Sequence, residues 1–209
     1  MRVPAVTVYV VDDDPSVRKS LTRLLRAAGY RVVTFASSNE FLDHPERESP
    51  ACLVLDVKMP GLTGLDLQDV LAQRDQRIAI VFITAHGDIP MSVRAISAGA
   101  VDFLTKPYRA RDILDAVRRA LEEDAREHGD RARVADLRRR LGTLTPRERE
   151  VFDFVVVGRL NKQIAGELGI AEHTVKVHRG RVMEKMRAGS VADLVRMAEA
   201  LSIPMPSPK

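Results

Sequence analysis

The chain has 209 residues, of which 45% are hydrophobic and 30% carry a charged side chain, proportions typical of a globular protein. No apolar stretch reaches the roughly 18 residues of a transmembrane helix, and the single cysteine, Cys52, excludes a disulfide within the chain. The net charge is zero over residues 1–122, −3 over 123–130 and +7 over 131–209.

These features bound the class of protein. The first residues lead directly into a predicted strand and show no signal peptide, so we expect a cytoplasmic protein without a membrane partner. Cys52 lies within an apolar run and is interpreted as a buried core thiol. The positive charge of the last third favours a polyanionic partner, although a solvated basic face explains it equally well.

Strand and helix patterns alternate through the first half of the chain. Apolar runs predict five strands, at Val6–Val11, Arg31–Phe35, Ala51–Leu55, Ile78–Ile83 and Val101–Thr105. Helices are predicted between them, at Pro15–Ala28, after Ser37 to Leu42, around Leu65–Gln73, at Pro90–Ala98 and from about Arg111. This alternation predicts a doubly wound α/β fold with an all-parallel sheet.

Polar side chains follow four of these strands at the point where each ends. Asp12 and Asp13 follow the first strand, Asp56 the third, Thr84 the fourth and Lys106 the fifth. The carboxyl ends of parallel strands meet at one edge of the sheet, where ligands bind. Clustered carboxylates repel one another unless a cation neutralises them, and hard oxygen ligands favour Mg²⁺. The set therefore predicts in-line phosphoryl transfer with Asp56 as nucleophile.

Each residue also has a structural interpretation of its own. Asp-rich turns often cap helices, and Asp14 before Pro15 fits a cap at least as well as a metal ligand. A threonine or a Lys-Pro pair at a strand end can belong to a plain loop. The joint placement at four strand ends favours the phosphoryl-transfer interpretation.

Residues 5–122 resemble the receiver domain of response regulators. The resemblance is carried by Val-Asp-Asp-Asp at 11–14, Asp56 with Met59-Pro60-Gly61, Thr84-Ala85 and Lys106-Pro107. The stretch from Thr84 to Met91 is similar to the FixJ branch of that family. This resemblance implies a flavodoxin-like fold, a sensor histidine kinase as partner, and a cis peptide before Pro107.

The resemblance also implies a role for each residue at the sheet edge. Asp56 would accept phosphate from the kinase, and Lys106 would hold the phosphoryl group. The Mg²⁺ ligands would be Asp12, Asp13, Asp56 and the main-chain carbonyl of Lys58. Thr84 and Phe103 would form a switch pair. The family often has tyrosine at the position of Phe103. Because phenylalanine cannot donate a hydrogen bond, we expect burial of its ring to be the readout of the switch. We expect the switch to promote homodimerisation.

The joint between the two halves is strongly helical in composition. We predict a helical linker over residues 123–142, continuous with the last receiver helix and frayed or kinked at Gly129. The linker could pair with a second copy as a short coiled coil. The run Arg138-Arg139-Arg140 is interpreted as a solvated face in preference to a nucleic-acid patch.

Four short helices are predicted after the linker. The motif Thr145-Pro146-Arg147-Glu148 is a capping box that begins the first helix, and Asn161 is expected to cap the second, which Gly169 ends. The third spans about 172–186, and Ser190 caps the last. Two helices joined by a tight glycine turn, the second of them basic, are typical of a helix-turn-helix.

The third of these helices has an apolar and a polar side. Val175, Val182 and Met186 are expected to face the core. The opposite side carries His173, Lys176, Val177, Gly180, Arg181 and Glu184. We predict that this polar side enters the major groove of DNA, with Lys176 and Arg181 as the best donors. An ordinary four-helix bundle with one basic helix is the alternative.

Residues 143–201 resemble the LuxR-type DNA-binding domain of FixJ and NarL. The resemblance is carried by Leu144–Glu150, Asn161–Ala165 and Thr174–His178. It implies that Lys176 and Val177 approach bases and that Lys162 contacts a phosphate. The predicted set of DNA contacts is completed by Arg181 on the polar side of the third helix, by Arg179, which flanks the core side, and by Thr174. Ala171 stands where a capping Ser or Thr is usual, and Gly180 stands where some members place a contact side chain.

The two resemblances together predict a phosphorylation-switched transcription factor. Its domains would be a receiver at 1–122, the linker at 123–142 and an all-α four-helix domain at 143–209. Double-stranded DNA, a second copy and RNA polymerase are the expected partners, and no enzymatic activity beyond slow autodephosphorylation is expected. One alternative is a Mg²⁺-dependent phosphohydrolase, although such enzymes separate two acids by one residue after the first strand. Another is a protein-interaction switch without DNA contact.

Overall fold

The computed structural model describes residues 6–44, 50–74, 76, 78–85 and 87–203. The chain divides into two compact units, Met1–His128 and Gly129–Lys209. The outermost parts of the predicted domains, 1–5 and 204–209, lie outside the described residues.

The first unit is an α/β fold. Its elements are β1 Thr7–Val11, α1 Pro15–Ala27, β2 Arg31–Phe35, α2 Ser38–Leu42, β3 Ala51–Asp56, α3 Gly64–Gln73, β4 Ala79–Thr84, α4 Ile89–Ser97, β5 Asp102–Thr105 and the first part of α5 Ala110–Leu141. The strands form one sheet in the order β2-β1-β3-β4-β5, and every neighbouring pair is parallel. The predicted doubly wound, all-parallel sheet is confirmed.

Both faces of the central strands β1, β3 and β4 are buried, which explains why these strands are nearly continuous apolar runs. Tyr9 and Leu53 belong to the core on one face, while Val10, Cys52 and Val54 belong to the core on the other. Cys52 is fully buried, and burial raises the pKa of its thiol. The interpretation of Cys52 as a core thiol is confirmed.

Helix α5 is continuous from Ala110 to Leu141 and stays helical through Gly129. The expected fraying there is therefore wrong, while a kink at Gly129 stays a prediction. Its first turns pack Ile113 and Val117 into the core of the first unit. The carboxylate of Asp124 accepts a 3.0 Å hydrogen bond from the main-chain N–H of Ala51, which ties α5 to the start of β3. Pairing of this helix with a second copy stays a prediction, as do the domain boundaries.

The second unit is helical. After the end of α5 it contains α6 Pro146–Val156, α7 Asn161–Leu168, α8 Glu172–Met186 and α9 Val191–Ala200. The predicted capping box forms, because Thr145 Oγ1 accepts from the N–H of Glu148 at 3.3 Å and the Glu148 carboxylate accepts from the N–H of Thr145 at 2.9 Å. Gly169 ends α7 with a left-handed backbone at φ 64°, as expected for a tight turn between two helices.

The expected cap of α7 is wrong by one residue. Leu160 occupies the N-cap position and Asn161 is the first helical residue. The Gln163 side chain accepts a 2.8 Å hydrogen bond from the N–H of Leu160, while Asn161 Oδ1 accepts from Arg179 of α8 at 2.8 Å. The asparagine is thus used to join two helices, a contact that its local sequence does not reveal.

Within the described ranges, none of the helices has both the length and the apolar composition that crossing a bilayer requires.

Candidate functional sites

Three carboxylates meet at the carboxyl edge of the sheet. Strands β1 and β3 are neighbours in a register that pairs Val11 with Leu55, so Asp12 and Asp56 follow side by side. Carboxylate oxygens of Asp12, Asp13 and Asp56 lie within 4.8 Å of one another. Asp12 is fully buried, Asp56 is 5% exposed and Asp13 is exposed. The sequence-based expectation that these three acids converge is therefore met.

Lys106 enters this cluster from the end of β5. Its Nζ is 2.7 Å from Asp12 Oδ2 and 3.3 Å from Asp56 Oδ1. Burial opposes the ammonium charge, but the contacts with the two aspartates outweigh it and raise the pKa of Lys106. The peptide bond to Pro107 is cis, as the resemblance implies, and the N–H of Lys106 donates to the carbonyl of Thr84 at 2.7 Å.

One lysine does not balance three acids. Burial raises the pKa of Asp56, Lys106 opposes that rise, and the charges of Asp12 and Asp13 add to it. The donor set of three carboxylates, one of them open to solvent, fits a hard divalent cation such as Mg²⁺. Lys58 lies in the loop that follows β3, two residues after Asp56.

The residues of the predicted switch pair lie on adjacent strands, Thr84 at the end of β4 and Phe103 two residues before the end of β5. Thr84 is fully buried at the end of β4, and the partly buried Phe103 ring in β5 lies 6.2 Å from the ring of Phe82. Gly87 closes this region, because a Cβ built there would be 2.9 Å from the Phe103 ring and 3.2 Å from the Thr84 methyl group. Sequence reasoning missed Gly87, since only the folded chain shows this close approach.

The acidic loop has its own supports. Asp14 accepts a 2.7 Å hydrogen bond from the N–H of Ser16, which confirms its interpretation as the cap of α1. The guanidinium of Arg18 donates to main-chain carbonyls of the same loop. Sequence reasoning did not single out Arg18, and a cation in the first turn of a helix was the available signal, because such a position is normally unfavourable.

Helix α4 carries an exposed apolar stripe. Ile89 is 80% exposed, Val93 57% and Ile96 46%. These residues are separated by four and three positions and so share one side of the helix. Exposed apolar side chains aligned in this way make this side of α4 a candidate interaction surface.

Helix α8 separates its two sides as the periodicity predicts. Val175, Val182 and Met186 are fully buried, whereas Lys176 and Arg181 are exposed and Val177 is 41% exposed. Among the other predicted DNA contacts, Lys162 is exposed on α7, Thr174 is partly exposed, and Arg179 is partly buried against Asn161. Ala171 provides no side-chain cap for α8, as expected.

Hydrogen bonds join the carboxyl end of α8 to residues just before α6 and in its first turn. Lys185 Nζ donates to the buried Glu148 carboxylate at 2.5 Å and to the carbonyl of Thr143 at 3.0 Å. Arg140 donates to the carbonyl of Met186 at 3.1 Å. Arg138 and Arg139 are exposed, in agreement with a solvated face, but the partly buried Arg140 departs from that interpretation.

The acidic pocket and the exposed side of α8 define an α/β domain with a cluster of carboxylates at its sheet edge, followed by a helix-turn-helix domain. Residues 8–118 match the family described as the response regulator receiver domain, and residues 142–198 match the bacterial regulatory proteins of the luxR family. The chain belongs to the response regulators and combines a receiver with a LuxR-type DNA-binding domain. The first family implies a histidine kinase as partner, the second implies DNA binding, and receiver domains generally bind Mg²⁺ at this acidic cluster.

Similar proteins extend over nearly the whole chain. Nodulation protein W of Bradyrhizobium diazoefficiens is 53% identical over 196 residues, which are 94% of this chain and 86% of the relative. Transcriptional regulatory protein FixJ of Rhizobium meliloti is 43% identical over 194 residues, covering 93% of this chain and 95% of the relative. The structure of the response regulator StyR is 49% identical, with a TM-score of 0.83, covering 93% of this chain and 98% of that one. The names of these similar proteins favour a transcriptional regulator over the phosphohydrolase alternative.

Proposed function

We propose that this response regulator is switched by phosphorylation of Asp56 and then binds DNA as a homodimer. The observation that carries the proposal is the meeting of Asp12, Asp13 and Asp56 within 4.8 Å, with Lys106 at 3.3 Å from Asp56. The ammonium of Lys106 offsets the repulsion between the Asp56 carboxylate and an anionic phosphoryl donor.

In the proposed transfer, a carboxylate oxygen of Asp56 attacks the phosphorus of a phosphohistidine on the sensor kinase. The new O–P bond forms as the P–N bond breaks, and the imidazole nitrogen leaves with its electron pair. Lys106 binds one phosphoryl oxygen, and the hydroxyl of Thr84 donates to another. Because burial raises the pKa of Asp56 while Lys106 lowers it, Lys106 also helps to keep the nucleophile ionised.

The residues that would hold Mg²⁺ are Asp12, Asp13, Asp56 and the main-chain carbonyl of Lys58. A bound Mg²⁺ supplies positive charge against the charge that develops on the phosphoryl oxygens. The exposed Asp13 carboxylate leaves one side of the pocket open to water, and Mg²⁺ usually keeps several water ligands.

Phosphorylation would draw the hydroxyl of Thr84 toward Asp56, and the ring of Phe103 would move into the vacated space. The exposed stripe Ile89, Val93 and Ile96 on α4 is the surface that we assign to the second copy. The stripe is apolar and lies on the helix directly before β5, which carries Phe103. A movement of the Phe103 ring can therefore alter this surface.

Two copies would present two α8 helices to two half-sites on duplex DNA. Lys176, Val177 and Arg181 lie on the exposed side of α8 and would reach base edges or phosphates. The proposed set of contacts is completed by Lys162, Thr174 and Arg179. RNA polymerase is the further partner through which the bound dimer would control transcription.

The test compares wild type with Asp56→Asn and with the control Asp69→Asn, which removes an exposed carboxylate on α3. A phosphorylated histidine kinase should place acid-labile, hydroxylamine-sensitive phosphate on wild type and Asp69→Asn but not on Asp56→Asn. Beryllofluoride with Mg²⁺ should double the mass measured by light scattering and increase salt-dependent DNA retention. Label on Asp56→Asn, or a wild type whose mass ignores beryllofluoride, would contradict the proposal.

A further inference from the structure

Arg18 is a cation placed where a helix disfavours one. It is the fourth residue of α1, Pro15–Ala27, close to the positive end of the helix dipole, where acidic side chains are favourable. Helical side chains lean toward the N-terminus of their helix, so the guanidinium of Arg18 folds back over the loop between β1 and α1. Contacts in that loop must compensate for the unfavourable position.

The guanidinium of Arg18 holds the main chain of the acidic loop. Its Nη1 donates to the carbonyl of Asp12 at 2.6 Å and to the carbonyl of Asp13 at 2.9 Å. These two carbonyls directly follow β1. A single nitrogen of Arg18 therefore holds the main chain at two consecutive residues, and both of these residues belong to the cluster of three acids.

The two acids differ in how their side chains are supported. The carboxylate of Asp12 accepts from the N–H of Asp14 at 2.9 Å and from Lys106 at 2.7 Å. Across the residues that the structure describes, no hydrogen bond to the exposed carboxylate of Asp13 is found. The direction of that carboxylate consequently depends on the backbone to which Arg18 is bonded.

We infer that Arg18 is a positioning residue of the Mg²⁺ site, holding the backbone of Asp12 and Asp13 so that both carboxylates face Asp56. The inference rests on the proposed metal site and adds a residue that touches neither the metal nor the phosphoryl group. Groups that hydrogen-bond to metal-binding residues from behind commonly change metal affinity by about 10–100-fold when they are removed.

The charge of Arg18 acts in the opposite direction to its hydrogen bonds. A guanidinium close to a cation site repels Mg²⁺, so loss of the charge alone would tighten Mg²⁺ binding. Loss of the two carbonyl contacts would weaken it. The sign of the change in Mg²⁺ affinity therefore distinguishes a positioning residue from a neighbouring charge.

The experiment titrates Mg²⁺ into full-length wild type, Arg18→Met and Arg23→Met by isothermal calorimetry. Arg23 is a matched control, because it is exposed on the same helix and its replacement also removes one positive charge. We expect Arg18→Met to raise the Kd for Mg²⁺ by about tenfold, while Arg23→Met leaves it unchanged or slightly lower. Saturating Mg²⁺ should restore beryllofluoride binding to Arg18→Met.

The outcomes separate the inference from the function on which it rests. Equal or tighter Mg²⁺ binding by Arg18→Met, compared with Arg23→Met, would overturn the role of Arg18 alone. A wild type that binds no Mg²⁺ would overturn the proposed metal site. Thermal unfolding in EDTA checks that the variants fold, and Arg18→Gln replaces Arg18→Met if the latter does not, with the same expected sign.

Discussion

The two candidate sites of this protein are built in opposite ways. The acidic pocket takes Asp12, Asp56 and Lys106 from the ends of three different strands. The predicted DNA surface takes Lys176 and Arg181 from the exposed side of one helix, α8. A pocket assembled from distant segments depends on the packing of the whole sheet, whereas a helix face depends on local periodicity and on the contacts that support the helix from behind.

Gly64→Ala is expected to have the largest effect, because it disrupts the acidic pocket without replacing any of its polar residues. A Cβ on Gly64 would lie 2.2 Å from the main-chain carbonyl oxygen of Asp56, and because this contact is with backbone, no side-chain rotation can relieve it. We expect Gly64→Ala to destabilise the first unit by about 3 kcal/mol or more and to lower phosphorylation of Asp56. Urea unfolding followed by circular dichroism measures the loss.

Gly129→Ala is the control for that substitution. Gly129 is helical and exposed, and a Cβ there meets nothing within 4 Å. The change should stabilise α5 by about 0.5–1 kcal/mol. If the two alanine variants lose stability equally, the close approach of Gly64 to β3 does not constrain the pocket.

The support behind α8 is tested by Lys185→Met. The hydrogen bond from Lys185 holds the pKa of Glu148 below its ordinary value, so the pair stabilises the fold while Glu148 is ionised. We expect a loss of about 2 kcal/mol near neutral pH. Because the folded pKa is lowered, the difference from wild type should shrink as the pH falls below about 4.3.

Urea unfolding at a series of pH values measures this dependence. Lys162→Met is the control, since Lys162 is exposed on α7 and forms no ion pair with a carboxylate among the described side chains. A stability difference between Lys185→Met and wild type that stays constant from neutral to acidic pH would show that the ion pair with Glu148 is not its cause.

The polar side of α8 is tested by Lys176→Ala. Removal of one exposed cation at the groove should weaken DNA binding by about tenfold and reduce the salt slope of binding by about one. Arg138→Ala, which removes an exposed cation from the last turns of α5, should leave both quantities nearly unchanged. Filter binding at several salt concentrations to a duplex selected by the wild type separates the two results.

The smallest effect is expected at the start of α7. Leu160 is 67% exposed at an N-cap position and offers no side-chain acceptor. Leu160→Ser would provide one, and we expect it to stabilise the second unit by about 0.5–1 kcal/mol. A loss of stability in thermal unfolding, with Leu160→Ala as reference, would indicate that the leucine packs in a way that its exposure conceals.

The features that could be predicted from the sequence are those that depend on neighbouring residues. The alternation of strands and helices, the capping box at Thr145 and the buried side of α8 all depend on residues within a few positions of one another. Gly64, Gly87 and Asp124 were missed because each acts on a residue from another element. Asn161 was placed one position wrong because its partner, Arg179, lies on the next helix.

The sequence by itself determined the fold class, the strand ends that bear Asp12, Asp56 and Lys106, and the polar side of α8, because these follow from the periodicity of apolar residues and from the alternation of strands and helices along the chain. Only the tertiary structure decided the distances within the acidic pocket, the hydrogen bonds from Arg18 to the acidic loop, and the hydrogen bonds from Lys185 that hold the end of α8. Those features arise when the chain brings separate segments into contact, and no local pattern specifies which polar groups will then face each other.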